Sequence, residues 1–429
     1  MNAERPSPSF AQLVRTFARI GCLGFGGPAG QIAMMQREVV DERGWVDQGA
    51  FLRAINLCHL LPGPEAQQLA TWIGWRLHGV KGGLAAGGLF VLPGALVMLG
   101  LSALYAMAAG VGWFAALFLG IKAAVVAILA QALLRIGKRA LRTRAAVLMA
   151  VAAFLALAVF SVPFPVAIVA AGIGGALAGS QAMGGHAVPA PGGSQPSARR
   201  LAMQTAGTVA AWLAIWFAPL ALIAATLGTD HVLWDVGAFF ARLAAVTFGG
   251  AYAVLAYMAQ AAVEQFGWLS AREMADGLGL AETTPGPLIM VTQFTGTLAA
   301  LRAPDPFAPW LAALLGAGLT TWVTFAPCFL WIFAFAPWME RLERAERLQS
   351  ALAGVTAAVV GIIAQLALWF AGHVLFARFG SAGMPEWSSL DWRAVAIAAG
   401  AALMVFRWNR SIMEVIAAAA LAGLVLSAV

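Results

Sequence analysis

A pattern of helix-breaking residues occurs twice in this chain, with its two copies 223 positions apart. The pattern is Phe-Gly-Gly, then Gly-Trp, then Pro-Gly-Pro, embedded in apolar sequence where an ordinary membrane span avoids such residues. The copies are Phe25-Gly26-Gly27, Gly44-Trp45 and Pro62-Gly63-Pro64, and Phe248-Gly249-Gly250, Gly267-Trp268 and Pro285-Gly286-Pro287. Duplicated, interrupted apolar segments are typical of transporters that bind a substrate between two related halves.

The repetition continues further along the chain at a larger spacing. The segments Gly120, Ala123–Val126 and Gln131 recur as Gly354, Ala357–Val360 and Gln365, 234 positions later. The 11 added positions fit an insertion around Arg302–Pro309 in the second copy. The duplication therefore covers most of the chain.

The composition restricts the chain to the class of polytopic membrane proteins. Of its 429 residues, 61% are hydrophobic and 10% are charged, whereas soluble domains carry about 25% charged residues. The net charge of +7 resides in short loops, where Lys and Arg orient a protein in the bilayer rather than bind nucleic acid. Cys22, Cys58 and Cys328 lack metal-site spacing and are expected to be small core residues.

Ten apolar stretches are candidates for membrane spans, since a helical span needs about 20 apolar residues. They are Leu84–Met107, Val111–Leu134, Ala145–Phe160, Pro163–Gly179, Thr208–Leu227, Phe239–Ala262, Ala308–Phe333, Ala351–Ala371, Val395–Phe406 and Ile412–Ala428. Around Gly24–Met35 and Ile55–Ile73 the sequence stays apolar, but we expect the helix to break there. No cleavable signal is expected, because the first apolar segment contains Gly26, Gly27 and Pro28.

The span pattern predicts four parts. Residues 1–179 form the first repeat, 180–204 a flexible cytoplasmic linker rich in Gly and Pro, 205–235 an unpaired linking transmembrane helix, and 236–429 the second repeat. This gives six, one and six hydrophobic segments. The predicted fold class is all-α: a polytopic helical membrane protein with two homologous inverted-topology repeats and broken half-helices.

The inversion is inferred from the distribution of positive charge. The loop Arg135–Arg144 carries five Lys and Arg residues and is predicted to be cytoplasmic. Its counterpart after Ala371 has only Arg378 and Arg393, which acidic residues balance. Because the charge bias flips, we expect the second repeat to be inserted upside down, with the N-terminus inside and the C-terminus outside.

The breaker motifs predict a binding site near the middle of the membrane. Each proline removes a backbone donor and disrupts the preceding turn, so Pro64–Ile73 and Pro287–Leu298 can each begin a half-helix. Helix N-termini carry partial positive charge and attract anions. An alternative is that the prolines and glycines only shape helices and permit close packing.

The residues at these breaks are the predicted substrate-binding set. They are Phe25, Gly26, Gly27, Pro28, Gln31, Pro62, Gly63, Pro64, Glu65, Gln67, Gln68, Lys122, Thr247, Phe248, Gly249, Gly250, Tyr252, Thr284, Pro285, Gly286, Pro287 and Gln293.

Four ionisable residues have two interpretations each. Glu65, whose repeat counterpart is Leu288, either carries a coupling proton or caps the new helix as a first-turn carboxylate. Lys122, near the middle of its span, either faces the substrate cavity or only reaches towards an interface. Arg19 and Arg242 either attract anions or anchor their segments at the interfaces.

The sequence contains no catalytic constellation. Nucleophile elbows, His-rich metal clusters and nucleotide-binding loops of the Walker type are all lacking. We therefore expect no enzyme activity, no cofactor and no metal site.

The chain resembles the chromate ion transporter (CHR) family in its long-chain, two-domain form, from Phe10 to the C-terminus. The resemblance rests on Gly24-Phe25-Gly26-Gly27-Pro28, Gly44-Trp45 and Leu61-Pro62-Gly63-Pro64, and on Thr247-Phe248-Gly249-Gly250-Ala251-Tyr252, Gly267-Trp268 and Thr284-Pro285-Gly286-Pro287. It implies export of chromate across the bacterial inner membrane, driven by an ion gradient, by two homologous domains of opposite orientation. The second half departs from the first where Ala251 replaces Pro28 and Leu288 replaces Glu65.

Three functions remain open at this point. The leading one is a secondary active transporter that exports chromate across the bacterial inner membrane, driven by the gradient of a coupling ion. A transporter or exchanger of sulfate or another small oxyanion is the first alternative, because chromate and sulfate are both tetrahedral dianions. A passive anion channel is the alternative of a different class. The lipid bilayer is the expected environment, nucleic acid is not an expected partner, and a homodimer is a candidate assembly.

Overall fold

The computed structural model describes residues 8–25, 27–108, 110–183, 198–248, 251–343, 345–380 and 384–428. Within these ranges the chain is a bundle of α-helices. Five of them are long and apolar enough to cross a membrane: Glu65–Ala108, Gly112–Ala140, Leu201–Thr226, Pro309–Trp338 and Glu346–Leu375. Shorter apolar helices cover Arg144–Ala158, Phe164–Gly179, Trp392–Phe406 and Ile412–Ser427. The predicted all-α, polytopic membrane class is confirmed.

The first half contains seven helices. They are α1 (Phe10–Leu23), α2 (Gly27–Gln36), α3 (Gln48–Leu60), α4 (Glu65–Ala108), α5 (Gly112–Ala140), α6 (Arg144–Ala158) and α7 (Phe164–Met183). A π-helical segment, Arg37–Glu42, extends α2. The linking helix α8 then covers Ala198–Thr226.

The second half contains nine helices. They are α9 (Val232–Ala245), α10 (Ala251–Gln260), α11 (Ala271–Thr283), α12 (Val291–Arg302), α13 (Pro309–Phe335), α14 (Met339–Glu343), α15 (Glu346–Leu375), α16 (Trp392–Phe406) and α17 (Ile412–Ala428). Here too a π-helical segment, Ala261–Gln265, follows the second helix. Short 3-10 turns cover Leu288–Met290, Ala336–Trp338 and Trp387–Ser389.

The two halves match element by element at their N-terminal ends. Helices α1, α2 and α3 correspond to α9, α10 and α11. The same kind of turn leads from the π-helical segment after α2 into α3, and from the π-helical segment after α10 into α11. In that turn Gly44 and Gly267 each have φ 62°, a left-handed conformation that glycine adopts at little cost. The duplication seen in the sequence is therefore also a duplication of local structure.

Helix α4 is bent where the second half has its insertion. His78 and Gly79 depart from helical geometry, with φ −137° and 61°. The bend divides α4 into a short segment after the Pro-Gly-Pro turn and a long apolar segment. These parts correspond to α12 and α13, which residues 303–308 separate completely.

One predicted span is wrong. We expected Phe239–Ala262 to be continuous, but α9 ends at Ala245 and α10 begins at Ala251. After the end of α9 the Thr247 hydroxyl donates to the Leu243 carbonyl at 2.7 Å. The break has the same cause as that after α1, a Phe-Gly-Gly motif at which a helix cannot continue easily.

The predicted linker is shorter than expected. Helix α7 continues to Met183, with a bend at Gly179 where φ is 81°, and α8 already begins at Ala198. Residues 184–197, the middle of the predicted linker, lie outside the described residues.

Helices of the two halves pack against each other reciprocally. Helix α5 of the first half lies against α16 and α17, while its counterpart α15 lies against α6 and α7. Two close contacts are also equivalent: Gly120 faces Ala419 of α17, and Gly354 faces Ala171 of α7. Small residues allow such close helix contact in membranes, so the two halves interlock rather than lie side by side.

This packing predicts that Gly354→Ala destabilises the protein. A Cβ atom at Gly354 would lie 2.5 Å from the Ala171 carbonyl oxygen, and overpacking of this kind costs about 1–3 kcal/mol. Thermal unfolding of the purified protein in detergent measures the effect. Gly318→Ala is the control, because its Cβ would meet no atom within 4 Å. Equal unfolding temperatures for the two variants would contradict the interlocked packing.

Candidate functional site

Each Pro-Gly-Pro turn is buried and bonded to the broken segment of the other half. The Gly63 N–H donates to the Thr247 carbonyl at 2.7 Å, and the Gly286 N–H donates to the Gly24 carbonyl at 3.0 Å. Gly24 and Thr247 are equivalent positions of the two repeats, as are Gly63 and Gly286. The two interactions are therefore copies of one contact, made once in each direction.

The sequence dictates this conformation locally. Prolines on both sides of Gly63 stop α3 at Leu60 and allow α4 to begin at Glu65. Gly63 has φ 121°, and a Cβ there would lie 2.8 Å from the Cys328 sulfur. Glycine is required at this position both for its conformation and for the space.

A buried glutamine joins both halves at the second turn. The Gln31 Nε2 group donates to the Gly24 carbonyl at 3.0 Å and to the Gly286 carbonyl at 2.6 Å. One amide thus holds the end of α1 and the Pro-Gly-Pro turn of the other half together. At the first turn, Gln68 Nε2 donates to the Pro62 carbonyl at 2.7 Å.

Four glutamines around these turns leave their amide oxygens buried without a hydrogen-bond partner among the described residues. They are Gln31, Gln67, Gln68 and Gln293. The Gln293 Nε2 group donates to the Ala95 carbonyl of α4 at 2.9 Å. The amide nitrogens of Gln31, Gln68 and Gln293 donate to backbone carbonyls and that of Gln67 to the Thr71 hydroxyl. The amide oxygens remain as buried acceptors.

Glu65, the first residue of α4, has an ionisable partner. Its Oε2 atom lies 3.0 Å from His59 Nε2, at the end of α3. The Glu65 side chain is 16% exposed and that of His59 50%. The pair therefore bridges the first Pro-Gly-Pro turn, with the histidine on the more open side.

Lys122 is not isolated. Its Nζ atom lies 2.9 Å from Asp276 Oδ1, and Tyr105 donates its hydroxyl to Asp276 Oδ2 at 2.7 Å. All three side chains are buried. The sequence analysis missed Asp276 and Tyr105, because Asp276 stands close to the charged residues Arg272 and Glu273 and outside every predicted span.

A cavity of about 360 Å³ adjoins this group. Its lining residues are Tyr105, Phe114, Ala115, Phe118, Ser270, Arg272, Glu273 and Asp276. Partial burial raises the pKa of the Glu273 carboxyl, but hydrogen bonds from Arg302 and Ser270 outweigh this effect, so its pKa lies below the usual value. Glu273 is thus held as a paired carboxylate at the edge of the cavity.

The two arginines that precede the Phe-Gly-Gly motifs have different surroundings. The largely exposed Arg19 lies 3.4 Å from the buried Glu38 carboxylate, which Arg43 also contacts. Arg242 donates to the Ala238 carbonyl of its own helix at 3.2 Å. Neither arginine contacts a Pro-Gly-Pro turn by hydrogen bond or ion pair among the described residues.

The remaining predicted residues form the backbone of the two breaks. Phe25 and Phe248 each bond back by two residues, to Leu23 and Val246. The hydroxyls of Thr247 and Thr284 donate to carbonyls of their own helices. Gly27 and Pro28 open α2, and Pro287 precedes the 3-10 turn Leu288–Met290 after Pro285. Gly26, Gly249 and Gly250 lie outside the described residues, as does the side chain of Tyr252.

The cross-half role of Gln31 predicts that Gln31→Leu destabilises the protein. The Gly286 carbonyl would lose its donor in a buried setting, which costs about 1–3 kcal/mol. The unfolding temperature in detergent measures this loss. Gln36→Leu is the matched control, because Gln36 lies on the same helix and bonds only Gln48, at 3.4 Å. A larger loss in the control would show that Gln31 does not join the halves.

Comparisons with known proteins agree with the duplicated architecture. The family model described as chromate transporter matches residues 11–176 and again 234–424, once in each half. A chromate transport protein of Pseudomonas aeruginosa is 33% identical over 425 residues, which cover 98% of this chain and 93% of that protein. No solved structure matches the chain significantly.

Two further relatives show the range of organisms. A chromate transport protein of Cupriavidus metallidurans is 28% identical over 83% of this chain and 82% of its own length. An uncharacterised transporter of the archaeon Methanocaldococcus jannaschii is 24% identical over 86% of each chain. With a family match in both halves and a full-length relative, the chain belongs to the chromate transporter family.

Proposed function

We propose that this chain is a secondary active transporter that exports chromate across the bacterial inner membrane, driven by an ion gradient. The observation that carries the proposal is the pair of equivalent hydrogen bonds between the halves, Gly63 to Thr247 and Gly286 to Gly24. They bring the interrupted segments of both repeats into direct contact. Transporters built from repeats bind substrates and coupling ions at such interrupted helices.

The proposal includes an inverted arrangement of the two repeats. Contacts that recur with the partners exchanged are a sign of a two-fold relation between two copies. Such contacts occur at the turns and between the long helices. A single unpaired helix, α8, separates the repeats, and one extra membrane crossing between two copies reverses the second.

The proposed site takes its positive potential from backbone and from one side chain. Helix α4 begins directly after one Pro-Gly-Pro turn, and the 3-10 turn leading into α12 follows the other. Their first N–H groups lack partners within the helix and favour anions. Lys122 adds a full positive charge when a bound anion takes the place of its partner Asp276. Chromate is a tetrahedral dianion that such donors suit, and the relatives named as chromate transport proteins support this substrate.

Transport into inverted membrane vesicles tests the function. We expect uptake of labelled chromate that stops when an uncoupler collapses the gradient, because inverted vesicles accumulate what the cell exports. Competition by sulfate measures oxyanion selectivity. Uptake that persists without a gradient would instead identify a passive anion channel, and uptake of sulfate but not chromate would identify a sulfate transporter.

The variant Lys122→Ala tests the contribution of the lysine charge. We expect weaker chromate binding, by about tenfold or more, since hydrogen bonds to charged groups contribute about 1.5–3 kcal/mol. Titration of the purified protein measures the affinity. Arg242→Ala is the control, because Arg242 lies on an exposed helix face. Unchanged affinity in Lys122→Ala would remove the lysine from the site.

Reporter fusions test the inverted arrangement. Fusions after Leu134 and after Ala371 stand at equivalent places in the two halves. Opposite orientation of the repeats places them on opposite sides of the membrane. Two fusions that report the same side would rule out the inversion without affecting the transport assay.

A further inference from the structure

A charged group that spans both halves lies in the packed interior. Lys122 on α5 and Tyr105 on α4 come from the first half, and Asp276 on α11 comes from the second. Their exposed fractions are 6%, 5% and 4%. Removing two charges from water costs several kcal/mol per ion, and replacing a buried ion pair by apolar residues is often neutral or stabilising. Stability alone therefore does not explain why the pair is there.

The two carboxylate oxygens of Asp276 have different partners. The Oδ2 atom accepts the Tyr105 hydroxyl at 2.7 Å, and Oδ1 lies 2.9 Å from the Lys122 ammonium. The ammonium compensates the charge of Oδ1. If the ammonium moves away, Oδ1 becomes a buried acceptor without a partner, and it can then take up a proton.

Asp276 differs in its partners from two neighbouring acids, Glu273 and Asp391. Glu273 accepts hydrogen bonds from Arg302 and Ser270. Asp391, which acts on Lys122 electrostatically from the start of α16, caps that helix by accepting the N–H groups of Arg393 and Ala394. Asp276 is instead held by the Tyr105 hydroxyl and by the Lys122 ammonium, a cation that an anion attracts.

The cavity brings solvent next to this carboxylate. It contacts Tyr105 and Asp276 and is also lined by Ser270 and Arg272 at the start of α11. At 1.5 Å per residue, Asp276 lies ~9 Å along the axis of α11 from Ser270 and ~10 Å from Thr283, where the helix ends before the Pro-Gly-Pro turn. Helix α11 thus places the carboxylate between the cavity and the Pro-Gly-Pro turn.

We propose that Asp276 couples oxyanion binding to proton uptake, an inference that rests on the proposed function as an oxyanion transporter. The bound anion attracts the Lys122 ammonium away from Asp276. The Asp276 carboxylate then accepts one proton at Oδ1, supplied from the cavity. Tyr105 continues to donate to Oδ2. Binding of a dianion with one proton adds a single net negative charge to the interior instead of two.

The charges around the triad favour this exchange. Arg272 faces the triad from α11 and attracts an anion, while Glu273 beside it is neutralised by Arg302. From α12, the neutral ring of Phe294 packs on Tyr105 at a centroid distance of 5.2 Å. Once Lys122 binds the substrate, Asp276 is a buried carboxylate without a counter-ion. Protonation removes the free-energy cost of burying this unpaired negative charge.

Calorimetric titration of the purified full chain with chromate tests the proposal. Measurements in buffers of different ionisation enthalpy, at alkaline pH where chromate is a dianion, count the protons taken up. We expect about one proton per bound anion and an affinity that rises about tenfold for each unit of decreasing pH, as one-proton linkage requires. Asp276→Asn should bind without proton uptake and with an affinity independent of pH.

An exposed acid near α11 provides the matched control. Glu264→Gln should keep the proton uptake of the wild type, because Glu264 is exposed and accepts a hydrogen bond from Gln260 on its own helical segment. Proton uptake that survives Asp276→Asn, or that disappears in Glu65→Gln alone, would overturn the assignment. A wild-type protein that binds neither chromate nor sulfate would overturn the proposed function itself, which is a different result.

Infrared difference spectroscopy tests the wild-type protein in case Asp276→Asn does not fold. Addition of chromate should produce the carbonyl band of a newly protonated carboxylic acid and remove a carboxylate band. Binding of chromate without these changes would show that no acid is protonated, and would overturn the proposal.

Discussion

The structure depends on a backbone requirement that neither half meets alone. In apolar surroundings every N–H and C=O group needs a partner within the protein, and a Pro-Gly-Pro turn cannot provide one through a helix. The Gly63 and Gly286 N–H groups are satisfied by carbonyls of the other half. The Phe-Gly-Gly breaks supply those carbonyls, because a helix that ends there leaves its last acceptors available. The two motifs are therefore complementary parts of one contact, and each copy needs the other.

The long helices extend the same dependence. Helices α5 and α15 each pack against the last two helices of the other half. A glycine of each helix, Gly120 or Gly354, lies at a close contact with the other half. A motion that separated the halves as rigid bodies would break these helix contacts and both cross-half hydrogen bonds together. Conformational change that exposes a site between the halves is then easier within the short segments around the turns, where the helices are already interrupted.

The sequence predicted those helix ends that are determined by residues close by in the chain. Breaks after α1 and α3, the start of α4 at Glu65 and the extent of α13 follow from glycine, proline and apolar length, and they are confirmed. The continuous span Phe239–Ala262 was predicted wrongly. Apolar residues on both sides of Phe248 favoured a single long helix, although the equivalent glycine pair of the first half, Gly26-Gly27, had been interpreted as a break. The length of α7 was missed because a helix can pass a single glycine such as Gly179.

What the sequence could not provide is the pairing of distant residues. Lys122 and Asp276 are separated by about a third of the chain and occupy positions whose repeat counterparts, Thr356 and Arg53, do not form the same pair. Duplication therefore gives no signal for them. The three-way contact with Tyr105 exists only because α11 of the second half packs against α4 and α5 of the first.

The ion pairs of the described residues differ in their exposure to solvent. Glu38 and Glu65 are largely buried, but their partners Arg19 and His59 are more than a third exposed, so water screens these pairs and their rearrangement changes little. Lys122 and Asp276 are both buried. Their attraction is strong because the surroundings are apolar, and it cannot be broken unless another charge replaces one partner.

The glutamines restrict how that replacement can occur. The amide nitrogens of Gln31, Gln68 and Gln293 already donate to carbonyls, so rotation of these amides would place oxygen against oxygen. Around the proposed site the side-chain amides thus offer acceptors, which disfavour a bare dianion. Attraction for the anion must come from helix N-termini and Lys122, and a proton that enters with the anion lowers the negative charge that these acceptors face. The same amides that hold the two halves together therefore favour binding that is linked to protonation.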